Sequence, residues 1–260
     1  DFIDRAPDSF KDAKYSAMRE RSVGLGVMGL HSFLQKNSVP FESVMSKVWN
    51  NKIFKHIQIE VDKASKKLSD ERGACPDAEE YGINERFSNK TAIAPTASIS
   101  IICGGASPGI EPVAANSYTH KTLSGSYNVR NKYLKKILEK HDKNNDEVWS
   151  RITTNQGSVS HLDFLTNLEK DVFKTAFELD QKWIVELGAD RTPYISQAQS
   201  INIFLPADVH KKELHQIHFQ AWKKGLKSLY YCRSKSIQRA ENVNGVSSTD
   251  ITKDECLSCQ

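Results

Sequence analysis

Two cysteines close the chain, Cys256-Leu257-Ser258-Cys259-Gln260. The Cys-x-x-Cys spacing lets one thiolate attack a partner disulfide while the other resolves the mixed disulfide that forms. The stretch before them, AENVNGVSSTDITKDE from Ala240 to Glu255, carries isolated aliphatics without periodicity. It does not bury enough apolar surface to offset its ordering entropy, so residues 240–260 are expected to form a mobile tail. Such a tail has a root-mean-square span of roughly 20–25 Å and a stretched limit of about 55 Å, enough to carry reducing equivalents between a buried site and the surface. The rival chemistry is half of a zinc site. Structural zinc generally takes four ligands, and neither a second Cys-x-x-Cys nor a close His pair stands nearby. A thioredoxin-like site fits less well, because that motif opens a helix and none follows here.

A second constellation is Ala94-Pro95-Thr96-Ala97-Ser98-Ile99-Ser100, small hydroxyl residues following a short apolar strand candidate. A strand-to-helix turn of this composition can aim backbone N–H groups and the Thr96 and Ser98 hydroxyls at an anion; an ordinary turn with an N-cap serine is the competing account. A third is Leu229-Tyr230-Tyr231-Cys232. Adjacent strand residues point to opposite faces, so packing explains one tyrosine or, if both faces are buried, both. Close to a redox tail, the same two phenols are candidates for one-electron relay.

Other motifs carry less. Gly24-Leu25-Gly26-Val27-Met28-Gly29 matches Gly-x-Gly-x-x-Gly, but it follows the charged segment KYSAMRERS and no acidic residue stands about twenty positions on, so close packing of a helix on its neighbours is expected instead. Cys75 and Cys103 fit small buried positions. His215 and His218 form an i, i+3 pair on an amphipathic helix, without defensible metal spacing.

The elements that must position these residues come from periodicity. Ile53, Ile57, Val61, Ala64 and Leu68 predict a helix over 47–68 with one buried stripe, ended by Gly73. Thr166 with Glu169 forms a capping-box pattern opening a helix from about Asn167 to Leu187, with Phe173, Phe177, Ile184 and Leu187 on one face and Gly188 at C′. A third helix spans 209–224 with Leu214, Ile217 and Ala221 inward, closed by Gly225. Strand candidates are 91–94, 200–205 and 227–232. Strands alternating with helices predict an α/β fold with substantially parallel strands.

The chain has 260 residues, with 38% hydrophobic and 26% charged. That is enough for a sizeable core, at the upper end of one domain. The net charge of +4 is spread without a dense basic block, so direct nucleic-acid binding is not expected. Five cysteines, no signal peptide and no apolar run of spanning length predict a cytoplasmic protein with no membrane partner. The sequence begins at Asp1 in a charged stretch that runs into a glycine-rich apolar one, and part of the protein is expected to lie upstream.

Taken together, RERSVGLGVMGLHSFLQ, ERGACPD, APTASISIICGGASPGIEP (94–112), YTHKTLSG, the segment from LYY onward and the terminal ECLSCQ resemble the C-terminal part of the large (alpha) subunit of class I ribonucleotide reductase, close to bacterial forms. The resemblance implies the C-terminal portion of a ten-stranded α/β barrel, residues 1–239, followed by a flexible redox tail, 240–260. It implies that Pro95, Thr96, Ala97, Ser98 and Ile99 hold the diphosphate of a nucleoside diphosphate. It also implies that Tyr230 and Tyr231 relay a radical from a dimetal centre in a small (beta) subunit, and that Cys256 and Cys259 re-reduce an active-site disulfide before thioredoxin or glutaredoxin reduces them. No cofactor is expected on this chain itself. The thiyl cysteine, its Asn and Glu neighbours, the active-site disulfide and the effector sites lie upstream in such proteins, so the N-terminal remainder is an implied partner and the fragment alone is expected to be inactive. Two rivals stand beside this: an adenosylcobalamin-dependent (class II) reductase, which needs no tyrosine relay, and a non-catalytic module that keeps the barrel fold.

Overall fold

The computed structural model describes Ile3 and residues 5–122 and 125–234. The tail with Cys256 and Cys259 therefore lies outside the described residues. Four extended segments run side by side in parallel. Leu25 bridges Thr91, Ile93 bridges Gln199, and β3 (Ile203–Leu205) pairs with β4 (Cys232–Ser234) in the register Ile203 to Cys232. The order across the sheet thus follows the chain. All three residues of β3 are buried, as befits a parallel strand covered on both faces rather than one alternating between core and water.

The crossovers supply the cover. From Leu25 to Thr91 the chain passes through α2 (Leu30–Lys36), α3 (Val44–Arg72) and α4 (Pro76–Glu80), after an opening α1 (Lys11–Glu20). Ser43 caps α3 by accepting from the Ser46 N–H, and Gly73 ends it at φ 81°. The periodic stripe of α3 is only half-buried and Ala64 is exposed; Phe54 is buried together with Ser46, Asn50, Ser65 and Ser69. Small polar residues suit that face because partners are waiting: Ser65 Oγ accepts from the Arg86 N–H and Asn50 Nδ2 donates to the Leu187 carbonyl.

The crossover from Ile93 to Gln199 is the longest. It holds α5 (Ala97–Ile102), an antiparallel hairpin of β1 (Ser117–Thr122) and β2 (Gly125–Arg130), then α6 (Lys132–Lys140), α7 (Asp146–Thr154), α8 (Asn167–Val172) and α9 (Gln181–Arg191). The single helix expected over 167–187 is two. The Thr166–Glu169 capping box opens α8 as predicted, but the Glu178 carboxylate caps the Thr175 N–H and hydroxyl, and Asp180 starts α9 by accepting from the Lys182 N–H. Gly188 lies inside α9 rather than at its end, where an added Cβ would stand 2.9 Å from Ile201 Cδ1. The missing side chain lets α9 lie against the sheet.

Between β3 and β4 runs α10 (Lys211–Lys223), with Ile217 and Ala221 buried, Leu214 packed on the core and Gly225 following at φ 76°. Helix α9 packs between α3 and α10 and against β3. The main core joins Leu34, Phe41, Phe54, Val185, Leu187, Ile201 and Phe204. A second cluster of Leu134, Leu138, Trp149, Ile152, Leu162 and Phe173 holds α6, α7 and α8 together. Helices α6 and α7 and the hairpin were not expected from the sequence, although Asn131 and Asn145 cap the two helices.

Candidate functional site

The strand at Ile93 ends at Pro95, which cannot donate to a ladder. Thr96 then turns into the left-handed region at φ 53°, an uncommon state for a β-branched residue. Its Oγ1 accepts from the Gly109 N–H at 2.8 Å. Gly109 is itself at φ 46°, and a Cβ there would lie 2.8 Å from the Ala94 carbonyl oxygen. The Thr96 hydroxyl thereby fastens the two ends of the loop together, at a point where Gly109 has no room for a side chain. Inside it, α5 starts at Ala97, Ser100 Oγ donates to the Ala97 carbonyl, and the Ala106 N–H returns to Ser100 O. Ser107 and Ser32 exchange backbone N–H to Oγ bonds, tying the loop to α2. Pro95, Thr96 and Ala97 are half-buried, while Ser98 and Ile99 are exposed. The first N–H groups of α5 have no intrahelical acceptor, and no side chain caps them.

The glycine run at 24–29 serves this arrangement. It is extended, not helical: Leu25 joins the ladder to Thr91, and a Cβ on Gly26 would lie 2.6 Å from the Ala92 carbonyl oxygen. Helix α2 begins only after Gly29. Close backbone approach is the reason for the glycines, as expected, though the approaching element is a strand.

Tyr230 and Tyr231 do not face opposite ways. Their ring centroids are 4.1 Å apart at 53°, and both rings are about half exposed, 51% and 44%. The expected strand over 227–232 begins only at Cys232, so the pair sits before regular pairing. The Tyr230 N–H donates to the Ile201 carbonyl, the Tyr231 carbonyl accepts from the Ile203 N–H, and the Tyr231 N–H goes to a side chain, Asn202 Oδ1, at 3.0 Å. Irregular backbone replaces the strand's alternation and brings the phenols together.

Asn202 leads back to the loop. It is 1% exposed, and its Nδ2 donates to Glu111 Oε1 at 2.8 Å. Glu111, 7% exposed, stands two residues beyond Gly109, and burial pushes its carboxyl up to about 7 against the pull of nearby Arg233 and of the Asn202 hydrogen bond. One polar path therefore runs from the Thr96 turn through Glu111 and Asn202 to the Tyr231 backbone. Glu111 and Asn202 were not singled out in the sequence. The available signal was polar residues set in apolar runs, Gly-Ile-Glu-Pro at 109–112 and Ile-Asn-Ile at 201–203.

Cys75 is buried as expected; Cys103 is not, because it follows α5 on an exposed edge beside Ile102. Cys232, next to the tyrosines, is exposed too. His215 and His218 lie exposed on α10, the first stacked on Phe219. A cleft of about 750 Å³ between α9 and α10, lined by Phe177, Gln181, Phe204 and His210, contains none of the turn or tyrosine residues. Among the described residues no helix is long and apolar enough to cross a membrane.

Comparison with known proteins bears on these features. The family model for the ribonucleotide reductase barrel domain matches residues 1–85 and 76–232. The chain is 47% identical to a ribonucleoside-diphosphate reductase large subunit of Invertebrate iridescent virus 6, over 94% of this chain and 26% of that protein. It is 43% identical to the large subunit of Invertebrate iridescent virus 3, over 100% of this chain and 42% of the relative. The class Id ribonucleotide reductase alpha subunit of Actinobacillus ureae superposes with a TM-score of 0.84 at 37% identity, covering 93% of this chain and 44% of that one. Both viral relatives share more identity with the chain than this bacterial structure does. The chain spans less than half the length of each protein named here. Parallel strands, crossover helices and this structural neighbour make the fold a partial α/β barrel, and the chain belongs to the ribonucleotide reductase family, through its barrel domain.

Proposed function

We propose that the chain is the C-terminal part of a class I ribonucleoside-diphosphate reductase large subunit, which with its N-terminal remainder reduces NDP to dNDP in the cytoplasm by radical chemistry. The observation that carries this reading is the tyrosine pair: two phenols 4.1 Å apart, linked by one hydrogen-bonded path to the loop carrying the Thr96 turn. In this reading the N–H groups of Ala97, Ser98 and Ile99, with the Thr96 and Ser98 hydroxyls, hold the substrate diphosphate at Pro95–Ile99. The Thr96 hydroxyl accepts from Gly109 through its oxygen and keeps its own hydrogen to donate. Tyr230 and Tyr231 pass an unpaired electron, supplied by a dimetal centre of a small subunit, each losing and regaining its phenolic proton as it is oxidised and reduced. Cys256 and Cys259 return the active-site disulfide to dithiol, and thioredoxin or glutaredoxin reduces them in turn.

The half-exposed rings support a relay that meets a partner protein, whereas an adenosylcobalamin-dependent enzyme makes its radical in place. The names of the relatives point the same way: large subunits, and a class Id alpha subunit. In the complete enzyme with its small subunit, Tyr230→Phe and Tyr231→Phe remove the oxidisable O–H while keeping the ring. Turnover is expected to fall to background in each, and unchanged turnover refutes the relay.

A further inference from the structure

The tyrosine pair is held at a point where the sheet's own hydrogen bonding is interrupted. The Ile203 N–H donates to Tyr231 O in the register of β3 and β4, but Ile201 O accepts from the Tyr230 N–H, one residue earlier than that register gives, so the pairing slips by one residue beside Asn202. The Tyr231 N–H is instead taken by the Asn202 side chain. An amide side chain can swing where a backbone carbonyl cannot, so its direction has to be set by whatever its other end binds. That end, Nδ2, donates to Glu111 Oε1. Both residues are out of water, and Arg233, in β4 two residues beyond Tyr231, is the positive charge that acts on Glu111. A buried carboxylate at this place is costly, and an apolar pair would fill the space more cheaply.

We infer that Glu111 is a positioning residue for the relay: through Asn202 it fixes the backbone of Tyr231, and hence the contact between the two phenol rings, to the segment that also fastens the Thr96 turn. The inference rests on the relay reading and adds to it a residue that touches neither substrate nor spin. Because Glu111 and Gly109 share one short segment, a displacement of the turn is passed to the tyrosines along this side-chain bridge.

The test uses the complete large subunit with its small subunit. Asn202→Leu removes the bridge, and Glu111→Ala removes its anchor. Both are expected to lower kcat about 10- to 100-fold, the scale on which a misplacement near 1 Å acts, with KM for the nucleoside diphosphate unchanged in Asn202→Leu. The reciprocal exchange Glu111→Gln with Asn202→Asp rebuilds the bond with donor and acceptor reversed, keeps one carboxylate near Arg233, and leaves an acceptor for the Tyr231 N–H. It is expected to recover kcat to within about threefold of the parent, well above Asn202→Leu and Glu111→Ala. A merely structural role would move the melting temperature in step with kcat and would not single out the reversed pair.

If Asn202→Leu turns over within about twofold of the parent while Tyr231→Phe is inactive, the inference falls and the relay stands. Should Tyr231→Phe itself turn over normally, both fall. Where Asn202→Leu or Glu111→Ala does not fold, the reciprocal exchange decides, since a folded Glu111→Gln, Asn202→Asp double variant more than about tenfold slower than the parent overturns the proposal.

Discussion

Thr96 Oγ1 and the Gly109 N–H lie 2.8 Å apart and close a loop whose first residue is held in the left-handed region. The bond offsets backbone strain of about 1–3 kcal/mol at Thr96, and it works only while Gly109 has no side chain. Gly109→Ala drives a Cβ to 2.8 Å from the Ala94 carbonyl oxygen at a positive φ and is expected to open the loop. In the complete enzyme KM for the nucleoside diphosphate should rise by about tenfold or more with a smaller change in kcat, the pattern of lost ground-state binding. Thr96→Val, which keeps the shape and loses the acceptor, should do the same, whereas Thr96→Ser should not; steady-state kinetics separate the three.

Gly157 is more demanding. At φ 80°, an added Cβ would meet Ala115 Cβ at 2.4 Å, Ala115 Cα at 2.6 Å and the Asn116 N at 2.8 Å. Gly157→Ala is expected to destabilise the subunit by about 2–4 kcal/mol, from strain plus overpacking. Adding Ala115→Gly should recover little, because two of the three clashes are with backbone. Urea midpoints of the single and double variants check this.

Two buried groups give the protein opposed pH dependences. His31 is fully buried, accepts from the Val113 N–H through Nδ1, and is held down to about 3 by desolvation. The unfolded chain takes up a proton near pH 6.5 that the folded chain refuses, so this contribution is complete above about 6.5 and is lost as pH falls toward 3. Glu111 has the reverse sign: its folded value of about 7 lies above the ordinary 4.5, so its proton favours folding below 4.5 and that stability disappears as pH rises to 7. Between 4.5 and 6.5 the two slopes oppose each other. Glu111→Gln should leave a subunit whose stability climbs with pH across that window, and His31→Asn, which keeps an acceptor for Val113, should leave one whose stability falls; denaturant titrations at about pH 5 and pH 7 read both signs.

Arg191, the last residue of α9, is buried against α3, with Nε donating to Gln199 Oε1, one guanidinium N–H to Asn50 Oδ1, and its guanidinium over the Phe54 ring. Desolvation lowers its pKa to about 9. Removing one acceptor leaves a buried cation short of partners, so Gln199→Leu should cost about 2–4 kcal/mol. Because Asn50 serves the same group, Gln199→Leu and Asn50→Leu should combine non-additively in a double-mutant cycle of thermal stability.

Cys256→Ser and Cys259→Ser should abolish turnover driven by thioredoxin while leaving most of the activity supported by dithiothreitol, since a small thiol reaches a buried disulfide without a shuttle. Equal loss with both reductants contradicts the shuttle.

Local patterns by themselves determined the parts of this protein whose information is local. The 3.6-residue periodicity of α3 and α10, the Thr166–Glu169 capping box, the glycines that end helices and the parallel α/β character were all legible, because each depends on residues within one or two turns of one another. The residue types and spacings at 95–99, 230–231 and 256–259 that carry the proposed roles are likewise local features of the sequence. What only the tertiary structure decided depends on partners distant in sequence. Glu178 and Asp180 split one expected helix into α8 and α9, polar partners turned serines of α3 inward, and a chain turn left Cys103 exposed. Above all, Asn202 takes the Tyr231 N–H and so turns two residues that strand geometry would send to opposite faces into a ring pair. A period of two presumes a regular ladder, and a side chain 29 positions away takes one N–H of that ladder beside the two rings.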